Sequence, residues 1–243
     1  MKNEILIIGH RGANKIAPEN TMKSFRKAIE LGADYVEFDV HFTKDNEIVI
    51  MHDENTMRTT GQEGVISEMT LEELKELDCG EGEQIPTLQE LIDLAKGRIG
   101  LQCEIKAEGM ASKLVELLRE KSLIEDTIMS SFNHDELLKV QELEPKLKLA
   151  ALEPTGTGWV TDWILKKKLV SNAAEHDFYA IHPFYRIVNE QLVEYAHEKK
   201  LKVNPWTVDS LNAMKKLIGY GVDGLITNDI EKAKKVLKRT SKS

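Results

Sequence analysis

Short apolar runs alternate along this chain with longer segments in which apolar residues recur every three to four positions. The short runs are rich in β-branched residues and predict buried strands, and the longer segments have the period of amphipathic helices. Strands that alternate with helices indicate a parallel sheet. The predicted strands cover residues 4–10, 35–43, 47–52, 101–106, 127–132, 148–153, 178–183, 201–208 and 224–228. The helical patterns include 21–31, 87–96, 111–121, 135–143, 189–200 and 210–220.

Nine strands are one too many for an eight-stranded barrel, and the connection between the second and third runs resolves the count. Only residues 44–46 separate these runs, whereas parallel neighbours need a crossover of a dozen or more residues. The two runs are therefore expected to form an antiparallel hairpin. If Asp45–Asn46 is a two-residue turn, the register places Asp39 opposite His52.

The eight remaining strands predict one (β/α)₈ barrel, the TIM barrel, as a single domain over residues 1–243. Residues 53–86 form a loop-rich insertion after the hairpin, polar at first, with a short helix near 71–77. No low-complexity segment or linker marks a domain boundary. The length of 243 residues suits one barrel.

Composition limits the partners and the location that we expect. The chain has 41 acidic and 33 basic residues and a net charge of −8, so its surface gives no general attraction to nucleic acid or anionic lipid. The first apolar run, Ile5–Ile8, is too short for a signal peptide or a membrane span, which favours a cytoplasmic protein without stable membrane association. Cys79 and Cys103 lack metal-ligand spacing and suggest no disulfide framework.

Ionisable and polar residues collect at the ends of the predicted strands. Residues two apart on a strand share a face, and in a barrel the carboxyl ends of the strands form the active site. The candidates are His10 and Arg11 after the first strand, Glu37, Asp39 and His41 in the second, His52 after the hairpin, Glu104 and Lys106 in the next, and His182, Trp206 and Asn228 later.

Each candidate also has an ordinary structural explanation. The acids of the second strand could be solvated edge carboxylates, Glu104 and Lys106 could form a structural ion pair, and His10 could be a satisfied core histidine. Convergence of all of them on one rim of the barrel weakens these explanations, because independent structural roles do not require a common location.

The chemistry of the candidates fits a metal-dependent phosphoryl-ester reaction. Three carboxylates are hard oxygen ligands that suit Mg²⁺ or Ca²⁺. Two histidines beside such an ion can act as general acid and base near neutral pH. Arg11 and Lys106 add cationic donors for a phosphate.

An ordered series of motifs extends over about residues 5–235. The motifs are His10-Arg11-Gly12, Pro18-Glu19-Asn20-Thr21, Glu37-Phe38-Asp39-Val40, Thr43-Lys44-Asp45, His52-Asp53, Pro86-Thr87-Leu88, Glu104-Ile105-Lys106, Trp206-Thr207-Val208 and residues 221–228. This series resembles the signature of the glycerophosphodiester phosphodiesterase family, in its compact bacterial and cytoplasmic form. The resemblance implies a barrel enzyme that hydrolyses small glycerophosphodiesters, such as glycerophosphocholine, to sn-glycerol 3-phosphate and an alcohol.

The resemblance also implies roles for individual residues. Asn20-Thr21 can cap the first helix, and Asn20 can also contact the phosphate. Asn46 stands where the family commonly has glycine, and it tolerates the positive φ of a turn. Asn228 replaces a frequent aspartate, which weakens the case for a role at that position. The implied roles are metal ligands for Glu37, Asp39 and Glu104, an acid/base pair for His10 and His52, and substrate binding for Arg11, Lys106 and Trp206.

Two other functions stay open. A related phospholipase-D-like enzyme acting on lysophospholipids or sphingomyelin would use the same residues and would add an exposed apolar mouth. Candidates for that mouth are Val65, Ile66, Met69 and Leu71, and the stretch Trp159–Trp163. The second alternative is an inactive barrel that binds phosphodiesters, against which the complete set of histidines and carboxylates argues.

Overall fold

The computed structural model describes residues 4–155 and 162–238. The strands are β1 Leu6–Gly9, β2 Tyr35–Phe42, β3 Ile48–Ile50, β4 Gly100–Ile105, β5 Thr127–Ser131, β6 Lys148–Glu153, β7 Ala180–Pro183, β8 Lys202–Val203 and β9 Gly224–Thr227. Eight of them are parallel and follow the order β8-β7-β6-β5-β4-β2-β1-β9, while β3 pairs only with β2. Asp223 N donates to Val203 O at 2.9 Å between β8 and β9. The predicted barrel is therefore confirmed as a nearly closed one.

Helices follow the strands as the sequence pattern predicts. Thr21, Thr70 and Thr87 each begin a helix with a capping box, in which side chain and backbone exchange hydrogen bonds. The described residues hold no helix of the length and apolarity needed to cross a bilayer. The helices are α1 Met22–Glu30, α2 Met57–Thr60, α3 Leu71–Lys75, α4 Leu88–Ala95, α5 Ala111–Glu120, α6 His134–Leu143, α7 Trp163–Glu175, α8 Glu190–Glu198, α9 Leu211–Gly219 and α10 Ile230–Leu237.

The hairpin of β2 and β3 forms as predicted, but its register differs by one residue. Val40 pairs with Ile50, and Met51 N donates to Asp39 O at 3.0 Å. Asp39 therefore lies opposite Met51, and the prediction that it lies opposite His52 is wrong. The barrel count is unaffected, because β3 pairs outside the ring of eight strands.

The turn explains the difference in register. It contains three residues, 44–46, instead of two, because Thr43 N donates to Glu47 O at 3.0 Å. Asn46 N donates back to Thr43 O at 3.0 Å, and Asn46 then adopts a φ of 61°. A type I turn followed by a left-handed residue is the common three-residue hairpin loop, and asparagine tolerates that conformation.

The insertion packs against the hairpin through a small core of its own. Ile66, Leu74 and Ile85 are fully or almost fully buried there, beside Val49 and Met51 of the hairpin. This core is separate from the large core between the barrel and its helices. It fixes the insertion against the rim of the barrel at the point where the chain leaves β3.

Gly12 lies where the loop after β1 crosses α1. Its φ is +83°, and a Cβ there would lie 2.8 Å from the backbone carbonyl carbon of Ser24. Gly97 has a φ of +71° with nothing within 4 Å of a Cβ. Gly97→Ala therefore measures the cost of placing a side chain at a positive φ, without a steric contact. We expect Gly12→Ala to lower the free energy of unfolding by about 1–3 kcal/mol more than Gly97→Ala, through overpacking. Urea denaturation measures both, and equal losses would contradict the contact.

Candidate active site

Three carboxylates converge at the carboxyl ends of two adjacent strands. Asp39 of β2 pairs in register with Glu104 of β4, and Glu37 lies two residues earlier on the same face of β2. One oxygen from each residue lies within 4.8 Å of the others. All three side chains are buried. In the described part of the chain this is the one such group of His, Cys, Asp or Glu residues with the geometry to hold a metal ion.

The electrostatics of this cluster favour a bound cation. Burial, followed by the charges of Asp39 and Glu104, raises the pKa of Glu37 well above its usual value. Burial and Asp39 raise the pKa of Glu104 to about 7. Asp39 Oδ1 is buried without a hydrogen-bond donor. A hard divalent cation fits these residues, because it would neutralise their repulsion and occupy that oxygen.

Two cationic side chains flank the cluster. Lys106 Nζ lies 2.8 Å from Glu104 Oε1 and 3.7 Å from Asp39 Oδ1. Burial opposes the charge of Lys106, but these carboxylates outweigh it and raise the pKa of Lys106. Arg11 donates its backbone N–H to Glu37 Oε2 at 2.8 Å, and its Nε lies 3.6 Å from Asp39 Oδ2. Arg11 also lines the cavity beside the cluster, whereas Lys106 is not among its lining residues.

His10 is held by a neutral amide. Asn228 Nδ2 donates to Asp209 Oδ2 at 2.7 Å, which turns Asn228 Oδ1 toward His10 Nδ1, also at 2.7 Å. Because an amide oxygen only accepts, Nδ1 carries the hydrogen and Nε2 keeps its lone pair. Nε2 lies 4.0 Å from Glu37 Oε2. Burial, then Arg11, lowers the pKa of His10 to about 4, so the ring is neutral at neutral pH.

His52 is held by a carboxylate. His52 Nδ1 lies 2.5 Å from Asp53 Oδ1. Burial would raise the pKa of Asp53, but hydrogen bonds from Arg58 and His52 outweigh it and lower the pKa to about 2. The ionised Asp53 therefore accepts the Nδ1 hydrogen. Burial lowers the pKa of His52, and the nearby carboxylates of Asp39 and Asp53 oppose this shift.

The cavity beside these residues encloses about 90 Å³ and has one polar and one apolar side. Trp206 forms part of the apolar side, fixed by a 2.7 Å hydrogen bond from its Nε1 to His182 O and by an edge-to-face contact with Phe132 at 5.5 Å. The polar lining is His10, Arg11, Glu37, His52, Gln102 and Glu104, and the remaining lining is Phe132, Leu152, Trp206, Thr207 and Ile226.

Some predicted residues lie behind the cavity. Asn20 does not line it and instead donates from Nδ2 to Asp39 Oδ2 at 2.9 Å. Thr21, the second residue of the predicted Asn20-Thr21 cap, caps α1. His41 Nε2 lies 3.3 Å from the backbone oxygen of His52. His182 is fully buried and contacts Asn204 at 3.1 Å, so it supports the apolar side from beneath.

Asp209 was not among the predicted site residues, and the replacement of a frequent aspartate by Asn228 weakened the case for a role at that position. In the structure, Asp209 holds the amide of Asn228, and this amide orients His10. The available signal was its position directly after β9, because closure of the barrel makes β9 the neighbour of β1. An aspartate at position 228 would place a negative charge directly against His10. In this chain that charge lies on Asp209, and Asn228 stands between Asp209 and His10.

Comparisons with known proteins agree with this geometry. Residues 10–232 match the glycerophosphoryl diester phosphodiesterase family. A glycerophosphodiester phosphodiesterase of Caldanaerobacter subterraneus subsp. tengcongensis is 40% identical over 239 residues, which cover 93% of this chain and 95% of the relative. A phosphodiesterase of Oleispira antarctica, solved in complex with the product sn-glycerol-3-phosphate, superposes with a TM-score of 0.85 at 28% identity, over 96% of each chain. A glycerophosphodiester phosphodiesterase structure from Thermotoga maritima has a TM-score of 0.79 at 29% identity, over 95% of this chain and 97% of the other.

Proposed function

The chain belongs to the glycerophosphoryl diester phosphodiesterase family and is a glycerophosphodiester phosphodiesterase, and on this premise we propose the residues that carry the reaction. The enzyme hydrolyses glycerophosphodiesters to sn-glycerol 3-phosphate and an alcohol, with a divalent cation held by Glu37, Asp39 and Glu104. The observation that carries the proposal is the convergence of these buried carboxylates within 4.8 Å, between His10 and His52. The product bound in the Oleispira antarctica structure supports the same substrate class.

The two sides of the cavity bind different parts of the substrate. Bound Mg²⁺ or Ca²⁺ would supply Lewis-acid stabilisation of charge on the phosphoryl oxygens. Arg11 and Lys106 donate hydrogen bonds to the phosphate, with charge-assisted geometry. Trp206 gives an apolar wall for the carbon atoms of the glycerol. Asn20 acts through Asp39, whose carboxylate it orients, and this contact replaces the direct phosphate contact of the sequence-based prediction.

The two histidines divide the proton transfers. The attacking oxygen, which the family resemblance suggests is the substrate's own glycerol hydroxyl, gives its proton to His10 Nε2. The P–O bond to the leaving alcohol breaks, and His52 protonates that alkoxide. The resulting cyclic phosphate is opened by water. The different partners support this division, because ionised Asp53 stabilises a protonated ring better than the neutral amide of Asn228 does.

The apolar residues of the insertion give little support to the alternative of a lipid phosphodiesterase. Ile66 is buried, and Met69 and Leu71 pack against the small core beneath the insertion, which leaves Val65 exposed. Residues 159–161 of the other proposed apolar stretch lie outside the described residues. Its last residue, Trp163, contacts Tyr195 of α8 edge to face at 5.8 Å. The packed residues therefore do not provide the exposed mouth that a lipid substrate would need.

A substrate panel tests the proposed function. We expect glycerophosphocholine to be turned over at least about 10-fold faster than lysophosphatidylcholine below its micelle concentration, because the apolar residues packed beneath the insertion leave little exposed apolar surface to bind the acyl chain. Release of choline measures both reactions. Faster turnover of the lysolipid would favour the lipid enzyme, and no turnover of any diester with added metal would favour the inactive barrel.

A further inference from the structure

Arg58 does not line the cavity, yet its guanidinium contacts two carboxylates from different parts of the rim. Its Nη2 and Nη1 lie 2.6 and 3.1 Å from the two oxygens of Glu19, in the loop after β1. Its Nε lies 2.5 Å from Oδ2 of Asp53, which follows the hairpin. Arg58 itself belongs to α2 of the insertion. Two of these hydrogen bonds join the insertion to the loop after β1, and the third holds Arg58 to Asp53, where the insertion begins.

Each of these carboxylates also holds a residue that lines the cavity. Glu19 Oε1 accepts from Arg11 Nη1 at 2.9 Å, and Asp53 Oδ1 accepts from His52 Nδ1 at 2.5 Å. Arg58 uses the other oxygen of Asp53, so the two donors do not compete for one acceptor. A continuous chain of contacts runs from His52 through Asp53, Arg58 and Glu19 to Arg11.

We propose that Arg58 is a positioning residue that fixes His52 and Arg11 relative to one another from outside the cavity. The insertion thereby sets the place of the proton donor relative to a phosphate-binding cation. This inference rests on the proposed role of His52 as the acid that protonates the leaving alcohol. It assigns Arg58 no contact with the substrate.

The geometry favours positioning over simple stabilisation. The Arg58 side chain is 48% exposed, and ion pairs at such exposure add little to folding stability. A planar guanidinium, however, directs its donors at fixed angles and can hold two carboxylates in one arrangement. A lysine would retain the charge and lose those directions. Loss of Arg58 would leave Asp53 free to rotate away from His52 Nδ1.

The first test is Arg58→Ala in the full-length enzyme, with glycerophosphocholine as substrate. We expect kcat to fall by about 10–100-fold, because displacement of a reacting group by about 1 Å can cost that much, and KM to rise through Arg11. The matched control is Arg119→Ala, whose side chain is 51% exposed and pairs with Glu144 between two outer helices. Arg119→Ala should keep the kcat and KM of the wild-type enzyme, and its Tm should stay close to the wild-type value. Equal kinetics in the two variants would overturn the proposal.

The second test is a double-mutant cycle. Because Arg58 acts on kcat through His52, Arg58→Ala should lower kcat no further in a His52→Ala background, while its effect on KM persists. The same fall in kcat in both backgrounds would overturn the proposal. A wild-type rate for His52→Ala alone would instead refute the proposed acid. A defective His52→Ala with a wild-type rate for Arg58→Ala would refute the inference about Arg58 alone.

Arg58→Lys tests the geometry if the alanine variant is too unstable to assay. Because lysine keeps the charge, Tm should stay near that of the wild type. Because it lacks the planar fork, kcat should recover only in part, and the remaining loss should shrink with a nitrophenol leaving group that departs without a proton. A wild-type kcat for Arg58→Lys would show that the directed hydrogen bonds are not needed.

Discussion

Loss of either histidine is expected to lower turnover of glycerophosphocholine by on the order of 10²–10⁴-fold, the usual contribution of a general acid or base. In the proposed mechanism, His10→Ala removes the group that accepts the proton of the attacking hydroxyl. His52→Ala removes the group proposed to protonate the departing choline. Choline is a poor leaving group as an alkoxide, so protonation matters in that step. Both variants keep the carboxylate cluster and should retain metal binding.

A change of leaving group distinguishes the proposed roles of His10 and His52. On a glycerophosphodiester with a nitrophenol leaving group, the His52→Ala loss should shrink sharply, because nitrophenolate departs without a proton. The His10→Ala loss should persist, provided the analogue keeps the glycerol hydroxyl. Release of nitrophenol and of choline gives the two rates. His197→Ala is a suitable control, because His197 pairs with Asp223 at the surface and should behave as the wild type.

The outcomes are distinct. Recovery of both variants on the activated ester would show that the histidines do not divide the two transfers. Recovery of His10→Ala alone would reverse the assignment. Full activity of either variant on glycerophosphocholine would remove that residue from the reaction.

Removal of the metal is expected to abolish turnover, and Mg²⁺ or Ca²⁺ should restore it. A Lewis-acid cation supplies several kcal/mol of transition-state stabilisation, which corresponds to on the order of 10³-fold or more in rate. Glu37→Gln should cause a loss of similar size, because it removes one charged ligand from a cluster of three. Full activity after thorough chelation would refute the metal site.

Thermal stability gives a second measurement that does not depend on turnover. In chelated wild-type enzyme, metal at 100 times its Kd should stabilise the fold by about 2.7 kcal/mol, or roughly 5–10 °C in Tm for a chain of this size. Glu37→Gln should lose this metal-induced shift. The variant should also be more stable than the wild type without metal, because a neutral amide avoids the burial of charge and the repulsion by Asp39 and Glu104 that raise the pKa of Glu37.

Glu136→Gln is the matched control for the metal experiments. Glu136 is also almost fully buried, but it lies in α6 and pairs with Lys139 instead of with other carboxylates. We expect it to keep both turnover and the metal-induced shift in Tm. Loss of the shift in this variant as well would show that the thermal response does not report on the Glu37 cluster.

Much of the architecture was determined by local sequence. Alternating apolar periods predict the strands and helices, and threonines such as Thr21 and Thr87 start helices through bonds to residues three positions away. The spacing of Glu37 and Asp39 places both on one face of β2, because side chains alternate along a strand. The carboxylate cluster then required only that β4 lie beside β2, which the topology of consecutive parallel strands favours.

Other features were decided only by the tertiary structure. The hairpin register depended on Asp45, because a two-residue type I′ turn needs a positive φ at both Asp45 and Asn46, whereas in the structure only Asn46 adopts one. The contact of His10 with Asn228 spans 218 residues and exists because barrel closure brings β9 beside β1. Arg58 reaches Glu19 because the insertion folds onto the rim through its own small core. Periodicity constrains residues within a few positions of one another, whereas these contacts depend on how distant elements pack.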